Sequence, residues 1–229
     1  MNMKVILQEF DNILCTIGIK KLSSNILFLG LDNSGKTTLI VMLEYDKLKL
    51  TPPTIHPYTV SVDFNNITLN ILDIGGNMGV RRKWPESYLS HQIEGVAFII
   101  DAADEERIEE AKTELFQFLS IPEWSSIPVV ILGNKIDLKH TLTEERFKEL
   151  LEYPLVTSNE NGYKNITKYH NHDVMLCMSS IVRRIGYGEG FKWLSERIYY
   201  NRTKKYQKFK LFLQFIFVLL VILFLILLV

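Results

Sequence analysis

At 229 residues the chain suits one domain of ordinary size plus an appendage. Its 26 Lys and Arg match its 26 Asp and Glu, and a net charge of zero gives no basic footprint for nucleic acid, which is excluded as a partner. Cys15 and Cys177 fit neither a disulfide framework nor a metal-ligand spacing, so a reducing compartment such as the cytosol is expected.

The first segment, residues 1–22, spaces Met3, Ile6, Leu7, Phe10, Ile13, Leu14 and Ile17 at intervals of three and four. That puts one apolar stripe on a helix. Its polar face is mixed, with Lys4, Glu9 and Asp11, so periodicity alone leaves two readings open. The helix packs on its own domain, or it lies in a membrane interface.

From Ser23 onward, apolar runs alternate with amphipathic stretches. Buried strands are expected at 25–29, 67–72, 96–101, 129–133 and 174–177, and helices at 36–44, 105–119, 144–151 and 190–200. Residues 58–64 and 67–72 flank Asn65-Asn66 and read as an antiparallel hairpin. The polar stretch 152–172 is expected to be loop. Such alternation builds an α/β fold, a mostly parallel six-stranded sheet with helices on both faces.

Residues 211–229 are apolar but for Gln214 and would span about 28 Å as a helix, close to a hydrocarbon core. Arg202, Lys204, Lys205, Lys208 and Lys210 precede them. Cations on that side place the large domain in the cytosol and predict a C-terminal transmembrane anchor. The expected units are thus 1–22, a domain over 23–203, and a basic flank with its anchor over 204–229.

The run Gly30-Leu31-Asp32-Asn33-Ser34-Gly35-Lys36-Thr37-Thr38 has phosphate-loop spacing between a strand and a helix. Its glycines let backbone N–H groups surround phosphate oxygens, and the helix start adds its positive dipole end. Lys36 would reach the β- and γ-phosphates, and Thr37 would give a hydroxyl to Mg²⁺. Asn134-Lys135-Ile136-Asp137 follows another apolar run. The Asp137 carboxylate can accept from guanine N1–H and its 2-amino group, donors that adenine lacks, while Asn134 and Lys135 brace the loop and cover the base. Asp73 ends a strand before Ile74-Gly75-Gly76, where it can hold Mg²⁺ through water and Gly76 can approach the γ-phosphate. Thr54 supplies a second hydroxyl for the metal when a γ-phosphate is present. Two loops ordered by GTP and released on hydrolysis make a switch.

These motifs resemble, in order, those of the Sar-type small GTPases of the COPII coat. The resemblance covers residues 24–199 and rests most narrowly on Pro53-Thr54-Ile55-His56-Pro57, Arg81-Arg82-Lys83-Trp84 and the run from Gly186 to Trp193. It implies a P-loop GTPase fold and GTP hydrolysis that controls coat assembly and budding from the endoplasmic reticulum toward the Golgi. It further implies an N-terminal helix that enters lipid, an exchange factor, and an activating protein that supplies an arginine. Asp32 would lie near Mg²⁺, and Ser179, Ser180, Ile181 and Val182 would form the last guanine-contacting loop. The chain departs from the family at Asn77, where Sar proteins carry the His that orients the attacking water. With Gly76 and Lys36, Asn77 completes the expected catalytic set, and slow intrinsic turnover follows. A second reading makes the chain an Arf-like, membrane-anchored GTP-binding receptor that hydrolyses little.

Overall fold

The computed structural model describes residues 22–49, 51–54, 56–64, 67–81, 84, 92–153, 158–160, 163–169 and 171–227. The N-terminal stripe, Met3 to Ile17, lies outside them. In chain order the elements are β1 (Leu22–Leu29), α1 (Lys36–Tyr45), β2 (Tyr58–Phe64), β3 (Ile67–Asp73) and the short α2 (Met78–Arg81). They continue with β4 (Gly95–Asp101), α3 (Ile108–Leu119), β5 (Val129–Asn134), α4 (Glu144–Leu150), β6 (Ser158–Glu160), β7 (Tyr163–Tyr169), β8 (His172–Met178) and α5 (Tyr187–Leu227).

The sheet order is β2-β3-β1-β4-β5-β8-β7-β6. Five central strands run parallel, through the pairs β1/β3, β1/β4, β4/β5 and β5/β8. Antiparallel strands extend both edges, β2 on one side and β7 with β6 on the other. The sheet is therefore mixed and eight-stranded, not six-stranded. The correction arises within 152–172, where Tyr163–Tyr169 pairs with β8 although its sequence is polar. Among the described side chains of that strand, Ile166 is buried in the core and Tyr169 packs against it, stacked on Phe116. An antiparallel strand can leave much of one face to water, so a polar sequence does not exclude it from the sheet.

Alternate residues of each parallel strand enter opposite layers because strand side chains have period two. From β1, Ile26 and Phe28 join a core with α1 and the first turns of α5, through Leu39, Ile40, Phe191, Leu194 and Ile198. Phe28 stacks on Phe191 with centroids 5.7 Å apart. Leu27 and Leu29 face the other way and pack against Ile108, Ala111, Leu115 and Phe118 of α3 and Phe147 of α4. Helices thus cover both faces, as the alternation predicts.

The expected C-terminal transmembrane helix is overturned: among the described residues no helix is long and apolar enough to cross a membrane. Helix α5 instead runs without a break from Tyr187 to Leu227. Its beginning is committed to the domain core, and Arg202 is bound to Glu94 and to the Ser23 carbonyl. Farther along the same helix, Lys204, Lys205 and Lys210 face water.

Candidate nucleotide site

The site lies at the C-terminal ends of β1, β3 and β5, where an open α/β sheet gathers its functional loops. Gly30 leaves β1 at φ 133°, and a side chain there would collide with the Ile99 carbonyl. Gly35 at φ 100° starts α1. Between them Asn33 also takes a left-handed conformation, φ 60°, so the loop curls on itself and turns its amides inward.

Lys36, 5% exposed, folds under the loop and donates to the carbonyls of Gly30 at 2.9 Å and Leu31 at 2.7 Å. Burial pushes its ammonium pKa down to about 8, against the opposing pull of Asp73 and Asp32. Beside it three oxygens converge. Thr37 Oγ1 donates to Asp73 Oδ2 at 2.7 Å, and Thr54 Oγ1 donates to the same oxygen at 3.1 Å. Asp73 is fully buried, and its other oxygen accepts from the Gly75 N–H at 3.1 Å. This all-oxygen set of hydroxyls and carboxylate is the donor chemistry that a small hard cation takes, so Mg²⁺ fits the residues present.

A cleft of about 370 Å³ opens over these groups, lined by Asp32, Asn33, Gly35, Lys36, Thr37, Thr38, Thr54, Gly76, Asn77 and Lys135 among others. Gly76 closes tightly on the phosphate loop. Its carbonyl accepts from Asp32 N at 3.0 Å, and a Cβ on it would lie within 2.5 Å of Asp32 N and Gly30 O. The Asp32 carboxylate turns away from the three-oxygen cluster and pairs with Arg107 at 2.9 Å. Asn77 serves the local structure, since its Oδ1 accepts from Val80 N at 3.0 Å and caps α2. Trp84 completes the segment by donating from Nε1 to the Gly75 carbonyl at 3.1 Å.

The second half of the site is built across long sequence separations. Asn134 Nδ2 donates to the Ser34 carbonyl at 2.9 Å, which braces the phosphate loop against the end of β5. Its Oδ1 and the Ser34 hydroxyl are buried and find no hydrogen-bond partner among the described residues. Lys135, at φ 69°, pairs with Asp101 at 2.6 Å. The Asp137 carboxylate accepts from Ser180 Oγ, and Ser179 N donates to the Gly133 carbonyl at 2.7 Å. Ser179, Ser180 and Ile181 are buried in the short loop before α5, and Val182 is exposed at its tip.

The expected residues therefore lie at the C-terminal end of the sheet, with the Asp32 carboxylate turned to Arg107. Arg107, Glu110 and Glu114, which no sequence motif singles out, pair with Asp32 and Arg81. Their Glu-Glu-Arg-Ile-Glu-Glu surroundings look like an ordinary solvated helix start, and nothing local marks them.

A P-loop α/β domain that faces a threonine–aspartate cluster and an Asn-Lys-x-Asp loop is the architecture of a Ras-like nucleotide switch. The model of the ADP-ribosylation factor family matches residues 10–198, and the chain belongs to that family. Among relatives, it is 35% identical over 196 residues to "Small COPII coat GTPase SAR1" of Nicotiana tabacum, covering 82% of this chain and 96% of that one. It is 30% identical over 187 residues to the protein of the same name in Giardia intestinalis, with the same coverage. "ADP-ribosylation factor-like protein 4A" of Homo sapiens is 37% identical over 134 residues, covering 56% of this chain and 66% of its own. The structure of the Arl6 BBS3 small GTPase from Trypanosoma brucei has a TM-score of 0.63 at 23% identity, covering 77% of this chain and 97% of that chain. It shares the fold.

Proposed function

We propose that the chain is a Sar-type, Mg²⁺-dependent small GTPase that binds and hydrolyses GTP to control COPII coat assembly and vesicle budding at the endoplasmic reticulum. The observation that carries this reading is the convergence of Thr37, Thr54 and Asp73 beside Lys36. The family and the relatives named Sar support the same activity.

In this reading Lys36 and the amides of Gly30 to Thr38 hold the phosphates, and Thr37, Thr54 and Asp73 hold the metal. A Mg²⁺ held by these residues would supply positive charge against that developing on the phosphates. Asp137, with Ser180 fixing its orientation, selects guanine. Asn134 and Lys135 support the base, and Ile181 and Val182 edge it. The Gly76 amide would approach the terminal phosphate. Coat subunits, an exchange factor and an arginine-supplying activator are the partners, and the N-terminal stripe contacts lipid on the cytosolic face of the endoplasmic reticulum.

One observation favours the second reading, a GTP-binding receptor that hydrolyses little. The Asn77 side-chain oxygen is already engaged in capping α2, which ties its amide to the helix start. Incubating purified protein with GTP and Mg²⁺ and recovering the nucleotide decides between them. GDP supports the enzyme; persistent bound GTP supports the receptor; failure to retain guanine nucleotide over adenine rejects both.

A further inference from the structure

Arg81 is the last residue of α2, 7% exposed, and its guanidinium bridges Glu110 and Glu114 on α3. A buried guanidinium needs such carboxylates, because removing either partner leaves an uncompensated charge. Glu110 is shared. Its second oxygen accepts from Arg107 Nε at 2.8 Å, and Arg107 reaches on to Asp32 Oδ1 at 2.9 Å. Four side chains thus link the phosphate loop to α2 in one unbroken series, Asp32–Arg107–Glu110–Arg81. The Arg107 guanidinium holds both carboxyls, Asp32 and Glu110, below their ordinary range. Arg81 also ends the short helix that Asn77 caps, and nearby the Trp84 indole returns to Gly75.

Three carboxylates (Asp32, Glu110, Glu114) meet two guanidiniums here. If Arg107 leaves Glu110 to follow Asp32, Glu110 and Glu114 must both be met by Arg81 alone. A change at the phosphate loop therefore alters how firmly Arg81, and with it α2, is held. Coupling of this sort requires a connected network with more than one arrangement, and Glu110 with its two competing donors supplies one.

We propose that Glu110, by joining Arg81 to Arg107, couples Asp32 of the phosphate loop to the Asn77–Arg81 segment, and that Arg81 is a positioning residue for GTP hydrolysis. The inference rests on the GTPase reading above. It extends that reading from the residues lining the cleft to an ion series behind them.

The test is a double-mutant cycle on the full chain, using Arg81→Ala, Arg107→Ala and the pair. Each protein is measured for binding of a fluorescent GTP analogue with Mg²⁺, for single-turnover hydrolysis, and for melting temperature. GTP affinity is expected to stay within about threefold, and each single change to slow hydrolysis by about tenfold. The pair is expected to be no slower than the slower single variant. Glu110→Gln keeps the side-chain shape, supplies the same readout if Arg81→Ala does not fold, and should reproduce the loss. Arg81→Lys should recover part of the rate. Multiplying losses in the pair, or unchanged hydrolysis with only a lowered melting temperature, overturns the inference while the GTPase reading stands. A wild-type chain that does not bind GTP overturns both.

Discussion

The hydroxyl oxygens of Thr37 and Thr54, 17 residues apart in the chain, stand 2.8 Å from each other and share Asp73 Oδ2. Thr37 is fixed by α1, whereas Thr54 comes from the connection before β2 and is held by this contact. Thr54→Val keeps the shape and removes the hydroxyl. Losing a hydrogen bond to a charged group at the site should weaken GTP binding in Mg²⁺ by about tenfold and leave GDP binding nearly unchanged. Titrations of both nucleotides with Mg²⁺ and with chelator check this; equal effects on GTP and GDP would remove Thr54 from any γ-phosphate-dependent role.

Asn77 separates into two functions that different substitutions can pull apart. Asn77→Ala deletes the cap of α2 and should destabilise that segment by about 1 kcal/mol. Asn77→Asp retains a good cap and adds a negative charge beside the phosphate site, so it should weaken GTP while preserving melting temperature. Asn77→His should raise single-turnover hydrolysis by about tenfold or more if positioning of water limits the rate. Identical rates for wild type and Asn77→His would show that this position does not govern turnover.

Cys177 on β8 is buried, and burial pushes its thiol pKa up to about 12 from an ordinary 9.0. In a Cys15→Ser background a thiol reagent at pH 8 should therefore leave the native chain unmodified and react once denaturant is added. The unfolded chain loses this proton near 9.0, whereas the folded chain keeps it to about 12. The contribution is thus whole below pH 9 and is lost as pH climbs from there, by up to about 1.4 kcal/mol per pH unit. Relative to Cys177→Ala, wild-type stability should fall over that interval, and parallel pH curves for the two proteins would count against it.

Ser180 donates to Asp137, the carboxylate assigned to guanine. Ser180→Ala leaves that carboxylate without its fixing partner and should reduce guanine-nucleotide affinity by about fivefold. Asp137→Ala should abolish the preference for guanine over adenine. Competition between the two triphosphates for the purified variants measures both, and a retained preference in Asp137→Ala would move base selection elsewhere.

The phosphate loop, Thr54, Asp73 and the Asn-Lys-x-Asp run are readable because each motif fixes its own chemistry within a few residues and a strand precedes the loop or carries the Asp. The sheet's centre is readable because its strands are continuous apolar runs buried on both faces, such as Val96–Ile100. What escapes depends on partners remote in sequence. Tyr163–Tyr169 has strand propensity but too little alternation to reveal itself without β8 as a template. Arg107 sits 75 positions from Asp32, and no local pattern announces such a pair. The extent of α5 escapes at both ends because composition near the C-terminus reads as a separate unit. Its packing onto the sheet shows helical continuity from Tyr187 onward.

That continuity has a mechanical meaning. A helix of 41 residues is a rod of about 60 Å, and its base is wedged against the sheet where Leu194 and Ile198 press on the glycine that opens β4. The loop holding Ser180 and Ile181 lies a few residues before the same base. Whatever grips the far end of the rod therefore sets the bearing of that loop and of the sheet behind it, as a handle sets the direction in which a blade points.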